Sequence, residues 1–419
     1  MARAMKDSGI PWIGEIPKGW TVKKLKYCSA FLQNKYDNDG DLQYIGLENI
    51  VSWNGKYIET DSVYDKEQSL TFEKDDILWG KLRPYLAKVY HSTIRGCCSS
   101  EFCVIRVNSE HVVRFFWNLL VSSEFVYTVD RSTYGTKMPR ANADYIKNIE
   151  VPVPPYSEQR VISSFLDTEC ARIDAIIEKT RASIEEYKKL KQAVITEAVT
   201  KGIRPGRKMK DSGIEWIGEI PEEWEVRRIK TLFDLREEKN YLPLEEVNLI
   251  SLYTDMGVVQ HADLTETTGN KASNADGYKK VHEDDIVVNI ILCWMGAIGR
   301  SAYSGVTSPA YDIYTPKEGV DSRFYHHYFR TSGFSGDCYK RGRGIMAMRW
   351  RTYSDQFRDI KVVYPSIEEQ HEILIYLNDK CKEIDRLISS KQQILTELDN
   401  YKMSLIYEYV TGKKEVRCG

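Results

Sequence analysis

The residues of this chain best placed to do chemistry lie in three basic, aromatic loops. From Lys340 to Arg351 the sequence carries Lys340, Arg341, Arg343, Arg349 and Arg351 with no acidic residue, interleaved with Gly342, Gly344 and Trp350. Glycine lets a backbone approach a phosphate closely, and arginine reads guanine edges bidentately in the major groove. A weaker version occurs in the first half, with Arg131, Lys137 and Arg140 around Gly135. The third loop runs Trp79-Gly80-Lys81-Leu82-Arg83-Pro84-Tyr85, followed by Lys88. One basic run alone is usually a solvated face, but basic runs at matching places in two halves of a chain point to nucleic acid. The candidates for such contact are therefore Lys81, Arg83, Tyr85, Lys88, Arg131, Lys137, Arg140, Lys340, Arg341, Arg343, Arg349 and Arg351, on charge and position alone.

Signatures of catalysis are mostly absent. The sequence has no Gly-x-x-x-x-Gly-Lys-Ser/Thr phosphate loop, no Gly-x-Gly-x-x-Gly, no His-Glu-x-x-His and no Gly-x-Ser-x-Gly. Pro154-Pro155-Tyr156 resembles the Asn-Pro-Pro-Tyr motif of adenine methyltransferases, yet Val153 stands where the amide would be, so the prolines read as a stop between a body and a helix. His326-His327 reads as an ordinary pair on a helix. The nine cysteines include no Cys-x-x-Cys pair and no matching histidine spacing, which resembles neither a disulfide framework nor a zinc site; no metal is expected. At 419 residues, 42% hydrophobic and 29% charged, the chain is long enough for two or three domains with proper cores. Its net charge of −2 gives no global positive field, so attraction to nucleic acid must be local. No apolar run is long enough for a membrane span and Met1 to Lys6 leads into no apolar signal core, so no membrane contact and a cytoplasmic location are expected.

The elements that must position these loops are repeated. Ser157 to about Lys201 reads as one long helix in which Leu166, Cys170, Ile173, Ile177, Ile184, Tyr187, Leu190 and Val194 form an apolar seam. Adding 211 to each position gives Leu377, Cys381, Ile384, Ile388, Leu395, Leu398, Tyr401 and Leu405, apolar at every place. A helix of about 45 residues is roughly 65 Å long, too long for an ordinary core element. The two seams are therefore expected to bury each other as an antiparallel intramolecular coiled coil, a rod with a body at each end. The alternative is that each helix packs on its own half.

A second repeat precedes each body. Met5-Lys6-Asp7-Ser8-Gly9-Ile10-Pro11-Trp12-Ile13-Gly14-Glu15-Ile16-Pro17, ending at Trp20, recurs from Met209 to Trp224 with few changes. Pro17 and Pro221 argue against helix, so these lead-ins read as extended segments docking their Trp and Ile side chains on a body or helix end. Beyond them, Leu42 to Trp53 and Lys56-Tyr57-Ile58 read as strands joined by an Asn54-Gly55 hairpin turn. Strands follow from Asp75-Asp76-Ile77-Leu78 to Ile105 and again from Asp284-Asp285-Ile286-Val287. A helix with Arg114-Phe115-Phe116 and Leu120 is answered by Arg323-Phe324-Tyr325 and Phe329. The bodies, 27 to 150 and 231 to 361, share this order of elements but little detailed sequence. A duplicated scaffold that stays alike while its bodies diverge suggests two recognition modules with different targets.

With these residues laid out, the chain resembles the DNA-specificity subunit of type I restriction-modification systems. The resemblance rests on the repeated lead-in (Asp7 to Trp20, Asp211 to Trp224) and on Glu158-Gln159 and Glu369-Gln370, which open the helices after Pro155 and Pro365. Val199-Thr200-Lys201-Gly202 and Val410-Thr411-Gly412-Lys413, which close them, complete it. It covers essentially the whole chain. It implies an α+β fold with a pseudo-twofold internal repeat: two α/β target-recognition domains separated by two long helices in an antiparallel intramolecular coiled coil. The expected division is 1–150 and 209–361 for the recognition domains, with lead-ins 5–20 and 209–224, and 151–208 and 362–419 for the conserved helices. The seam contacts expected to matter most are Leu166, Ile173, Ile177, Ile184, Leu377, Ile384, Ile388 and Leu395.

The resemblance further implies that each half reads part of an asymmetric bipartite double-stranded DNA target at a gap set by the coiled coil. The partners would be two modification subunits that methylate adenine with S-adenosylmethionine, and restriction subunits that use ATP to translocate and cleave. This chain would hold no cofactor of its own and catalyse neither reaction; Mg, too, would belong to the partners. Two other classes remain open at this point: an RNA-binding or adaptor protein built on a coiled coil, and a self-sufficient nuclease using a Glu-x-Lys triplet such as Glu237-Glu238-Lys239.

Overall fold

The computed structural model describes residues 3–35, 42–60, 69–135, 137–254, 256–261, 274–344 and 350–416. Its helices in chain order are α1 (Val113–Val121), α2 (Ser123–Asp130), α3 (Ala143–Asn148), α4 (Tyr156–Lys201), α5 (Ile229–Leu232), α6 (Ser322–Phe329), α7 (Ser332–Arg341), α8 (Ser354–Arg358) and α9 (Ile367–Val410). The chain forms two compact units, Met1–Arg181 with Gln392–Gly419, and Ala182–Lys391. Each unit thus joins one body to half of α4 and half of α9.

In the first unit the lead-in is a β-hairpin, Met5–Asp7 against Glu15–Pro17. A four-stranded antiparallel sheet follows, in the order Ser29–Leu32, Phe102–Val107, Ile77–Gly80 and Val89–His91. Beside it lies a small sheet of Tyr44–Ile45, Gly96–Cys98 and Leu70–Phe72. Thr21–Lys24 pairs with Glu150–Val153 to close the body at the foot of α4. The core is continuous from Ile10, Ile13, Ile16 and Trp20 through Phe115, Phe116 and Phe125 to Ile162, Leu166, Ile173 and Ile177 of α4 and Leu405, Ile406 and Val410 of α9. The helices run antiparallel here: Phe165 packs on Tyr409 with ring centroids 4.5 Å apart, and Lys402 bonds Asp174 at 2.6 Å.

The second unit repeats this plan. Its lead-in hairpin is Met209–Asp211 with Glu219–Pro221, and its four-stranded sheet runs Phe233–Leu235, Tyr311–Pro316, Ile286–Asn289 and Ile298–Arg300. Glu225–Arg228 and Lys361–Tyr364 form the closing pair. The core joins Ile195, Ala198 and Val199 of α4 to Ile214, Ile217, Ile220 and Trp224 of the lead-in and to Ile373 and Leu377 of α9. The antiparallel sense recurs, with Lys191 bonding Asp385 at 2.7 Å and Arg204 bonding Glu372 at 2.8 Å.

The seam is mostly where periodicity puts it. Leu166, Ile173, Ile177, Ile184, Leu377 and Ile384 are buried, and Ile388 and Leu395 are half-buried. Leu190 and Tyr401 depart from it, at 48% and 53% exposed. At 3.6 residues per turn Leu190 falls about 120° round the helix from Ile184, so the buried stripe passes instead to Ile195, Ala198 and Val199. The hairpin expected around Asn54-Gly55 is present only as a bridge between Ile50 and Tyr57, with Gly55 at φ +66°. The strand expected from Leu42 to Ile50 shrinks to Tyr44–Ile45, because Asn49 accepts from the Gly46 N–H at 2.8 Å and donates to the Ile58 carbonyl at 3.1 Å, winding Leu47–Asn49 into a single 3-10 turn.

Both bodies bury a carboxylate in the same turn. Asp76 accepts from the Glu73 N–H at 2.8 Å and from Arg106, and Asp285 accepts from the His282 N–H at 2.8 Å and from Arg236. The neighbouring Asp75 and Asp284 take left-handed backbone, φ +69° and +70°. The repeated Asp-Asp pair is therefore a turn lock, and the two arginines that serve it come from different strand positions.

A polar clamp fixes the start of each long helix. Trp20 Nε1 donates to Glu158 at 2.9 Å and Trp224 Nε1 donates to Glu369 at 2.9 Å; Arg3 and Arg207 complete the two ion pairs. Next along the helix, the Gln159 carbonyl oxygen accepts from the Val112 N–H at 2.8 Å while its amide donates to Pro154 O at 2.9 Å. Gln370 does the same with the Asp321 N–H, 2.8 Å, and Pro365 O, 2.9 Å. Val112 and Asp321 are the N-cap residues of α1 and α6, so one glutamine ties the long helix to the body helix in each unit. At the far ends of the long helices Gly202 and Gly412 take φ +75° and +72°. A side chain at Gly412 would meet Pro17 and Trp20, and one at Gly202 would meet Arg207, Glu369 and Trp224.

Burial would raise the Glu369 carboxyl, but the hydrogen bonds from Arg207 and Trp224 outweigh it and hold the group below the usual carboxylate range. The stabilisation is thus complete above the unfolded value and is lost as pH falls through the lower folded value. Urea unfolding against pH should show this acid limb flattened in Glu369→Gln. Glu369→Ala, which leaves the nearly buried Arg207 without its main partner, should cost about 3 to 5 kcal/mol at neutral pH.

Candidate nucleic-acid interface

In the first body two of the basic loops meet. After the strand Ile77–Gly80 the chain turns through Lys81 to Leu86, with the Lys81 N–H donating to Glu101 O at 2.8 Å and the Arg83 N–H to Pro139 O at 2.8 Å. A second loop leaves the C-terminal end of α2 and folds back through bridges from Arg140 to Tyr134 and to Leu82. The Ala141 N–H donates to Lys81 O at 2.9 Å, so Lys81, Arg83 and Arg140 share one edge of the body. Arg83 sits in left-handed backbone, φ +51°, immediately before Pro84, and α2 packs on the turn beneath it. Tyr85, Arg131, Lys137 and Arg140 are exposed, although Arg140 is ion-paired with Glu101. Lys88 turns inward: its ammonium donates to Leu47 O at 2.7 Å, and burial lowers its pKa.

The second body places its basic loop in the corresponding position. The chain leaves α7 at Arg341, and Arg343 and Arg351 form an antiparallel bridge with backbone bonds of 2.8 and 3.0 Å. Trp350 stacks on Tyr339, with ring centroids 5.0 Å apart, and donates to Tyr339 O at 3.1 Å. Gly342 is required beneath it, since an added side chain would run into the indole. Arg343 is exposed, whereas Lys340, also exposed, is paired with Glu215 at 2.7 Å. Arg349 lies outside the described residues. The Thr352 N–H donates to Ile290 O at 2.9 Å, the same bond that Ala141 makes to Lys81.

That shared bond identifies an element the sequence did not reveal: Ile290 to Met295 in the second body is the topological counterpart of Lys81 to Leu86 in the first. Its composition hid it, because nothing between Asn289 and Gly299 is charged. The Glu-Gln clamps were visible only as a repeated dipeptide. Their equal spacing after Pro154 and Pro365 was the available signal; their partners distant in sequence were not.

The other sequence candidates take structural roles. Glu238 is tied to Lys280 at 2.7 Å and to His282. His326 Nδ1 accepts from the Arg300 N–H at 3.1 Å, and burial lowers the pKa of His326 and His327. Among the described residues no group of three or more His, Cys, Asp or Glu side chains is placed to hold a metal ion, and no helix is long and apolar enough to cross a membrane.

Comparison with known proteins agrees with this plan. The family model for the type I restriction modification DNA specificity domain matches twice, at residues 17–186 and 221–400. The chain is 25% identical over 443 aligned positions to the putative type I restriction enzyme MjaX specificity subunit of Methanocaldococcus jannaschii, covering 97% of this chain and 96% of that one. It is 24% identical to the MjaVIII specificity subunit of the same organism over 322 positions, 72% of this chain and 70% of the relative. In fold it is similar to a chain from a study of complex assembly and conformational transition in a type I restriction-modification system, with TM-score 0.72 at 16% identity over 95% and 99% of the two chains. It is also similar to the HsdS subunit of Thermoanaerobacter tengcongensis, with TM-score 0.54 at 17% identity over 95% and 98%. The duplicated sheet, the paired long helices and the two domain matches together make this chain a member of the type I restriction-modification specificity subunit family, the non-catalytic DNA-recognition part of such systems.

Proposed function

We propose that each body reads one half of an asymmetric bipartite duplex sequence and that the two long helices set the gap between the halves. One observation carries this reading: the same turn locks, clamps and backbone bonds recur in both units, while the loops they hold differ in side chains. A backbone kept constant around variable loops suits two targets presented in one geometry. Arg83 and Arg343 are the cations best placed for phosphate or guanine contact; Arg140, like Lys340, is already in an ion pair, and Lys88 is the poorest, because its ammonium is used inside the body.

The partners under this reading are two modification subunits, which methylate adenine from S-adenosylmethionine, and restriction subunits, which translocate and cleave with ATP and Mg in the cytoplasm. This chain would bind none of those cofactors. Apolar side chains left exposed on the long helices offer the partners a footing: Ile176, Ile394 and Tyr401 in the first unit, and Leu190, Ile375 and Leu387 in the second.

Neutralising Arg341, Arg343, Arg349 and Arg351 should weaken DNA binding, and the slope of log K against log salt should fall by about one for each lost phosphate contact. A lost guanine contact should instead cost about 1 to 3 kcal/mol and relax one base position. Lys340→Ala, which removes a residue already paired with Glu215, should change the slope least. Unchanged affinity and slope in the four-fold variant would make the loop a solvated face.

The gap can be tested by inserting four residues near Thr180, between the seam positions Ile177 and Ile184. The insertion adds roughly one helical turn, about 6 Å, against about 3.4 Å per base pair of DNA. The preferred spacer should lengthen by about one to two base pairs with both half-sites unchanged, measured by methylation of duplexes of graded spacer length. An unchanged optimum in an assembled complex would mean that the helices do not set the gap.

A further inference from the structure

The two bodies hold the same turn with opposite chemistry. In the first it is Lys81-Leu82-Arg83-Pro84-Tyr85-Leu86; in the second it is Ile290-Ile291-Leu292-Cys293-Trp294-Met295. Both follow the strand that pairs with the long central strand of the four-stranded sheet, both contain a 3-10 turn, and both accept the equivalent backbone bond, from Ala141 or from Thr352. We propose that the turn 290–296 is a specificity-determining element that reads its half-site by apolar contact, with Leu292 and Met295 against thymine methyl groups in the major groove, where the first body uses cations. The proposal rests on the reading of this chain as a DNA-specificity subunit and deepens it.

Three observations support it. Leu292 and Met295, 38% and 53% exposed, are the most exposed side chains of the turn: Cys293 is fully buried, Ile290 and Ile291 are half-buried, and Trp294, also half-buried, packs on Tyr339 at 5.6 Å. The turn is stiff: the Asn289 side chain accepts from the Ile291 N–H at 2.9 Å and the Leu292 N–H at 3.2 Å, and Trp294 Nε1 donates to Ile291 O at 2.9 Å. Finally, the Thr352 bond and the packing of Trp294 on Tyr339, which Trp350 stacks on, set the turn beside the loop carrying Arg343 and Arg351, the cations proposed to meet DNA. In the major groove the one apolar feature that distinguishes a base pair is the C5 methyl of thymine, and leucine and methionine offer no hydrogen bond with which to read anything else.

The test uses the assembled complex with its modification subunits and the target found by methylation mapping. Each thymine in the half-site assigned to residues 209–361 is replaced in turn by deoxyuridine, which lacks only the methyl, and binding is measured for the wild type, Leu292→Ala and Met295→Ala. At one or two positions the wild type should bind about fourfold less tightly to the deoxyuridine duplex, a loss of about one buried methyl, and the matching variant should lose that discrimination. Replacements in the other half-site should affect all three proteins equally, which separates this outcome from a folding defect. If the wild type and both variants respond alike at every thymine, or if the half-site contains none, the proposal is overturned. Met295 also stands at the rim of a cleft of about 990 Å³ whose other wall is α4 from Gln192 to Lys201. Variants that lose a partner subunit while discriminating normally would therefore assign the turn to a protein and equally overturn it. Absence of any sequence preference in the wild-type complex would instead refute the underlying functional reading.

Discussion

Each unit depends on an acid at the start of a long helix, half-buried in the first unit and buried in the second. Glu158 and Glu369 accept from a lead-in tryptophan and an arginine, and they sit in a first turn where the helix dipole also favours negative charge. A buried ion pair such as that of Arg207 and Glu369 adds little net stability over an apolar substitute, but it tolerates few alternative geometries. The adjacent glutamines extend the constraint, since their amides use donor and acceptor on two separate segments. Four chain segments thereby meet at one fixed point: lead-in, closing strand, body helix and long helix.

With that point fixed, the loops are free to vary. The turn after the central sheet strand is basic in one body and apolar in the other, although its backbone bonds are the same. The loop that bridges back beside it carries arginines in both bodies, but it is held by Arg140 pairing with Tyr134 and Leu82 in the first and by Trp350 stacked on Tyr339 in the second. A change at the exposed side chains of these loops leaves the core untouched, because the buried clusters are filled by others, such as Trp79, Phe125 and, within the second turn, Cys293.

Whatever repeats with a period was legible in the sequence. The seam residues Leu166, Ile173, Ile177, Leu377 and Ile384 follow from helical spacing, and the extended lead-ins from direct repetition, although their pairing into hairpins does not. Leu190 was misplaced because an eight-position pattern cannot show where a stripe drifts around a helix of 46 residues. The short strand at Tyr44–Ile45 was overextended because Asn49 acts through its side chain on backbone that composition alone reads as β. Cations could be found by type, but not their availability: Lys88 and Lys340 look alike in sequence, and only three-dimensional neighbours separate an inward ammonium from a surface ion pair. The apolar counterpart turn has no charged residue to mark it in the sequence.

The division of α4 and α9 between two units bears on how the chain is made. The core of the first unit is completed by Leu405, Ile406 and Val410, which are synthesised only after the whole of the second unit. At about 5 to 20 residues per second, the 210 residues of the second unit delay that closure by roughly 10 to 40 seconds. Over that interval Ile10, Ile13 and Trp20 have only part of their apolar surroundings, so the nascent chain spends a long stretch of translation with a sticky surface and an obvious claim on chaperones. The second unit is spared this delay: every segment it needs emerges before residue 392.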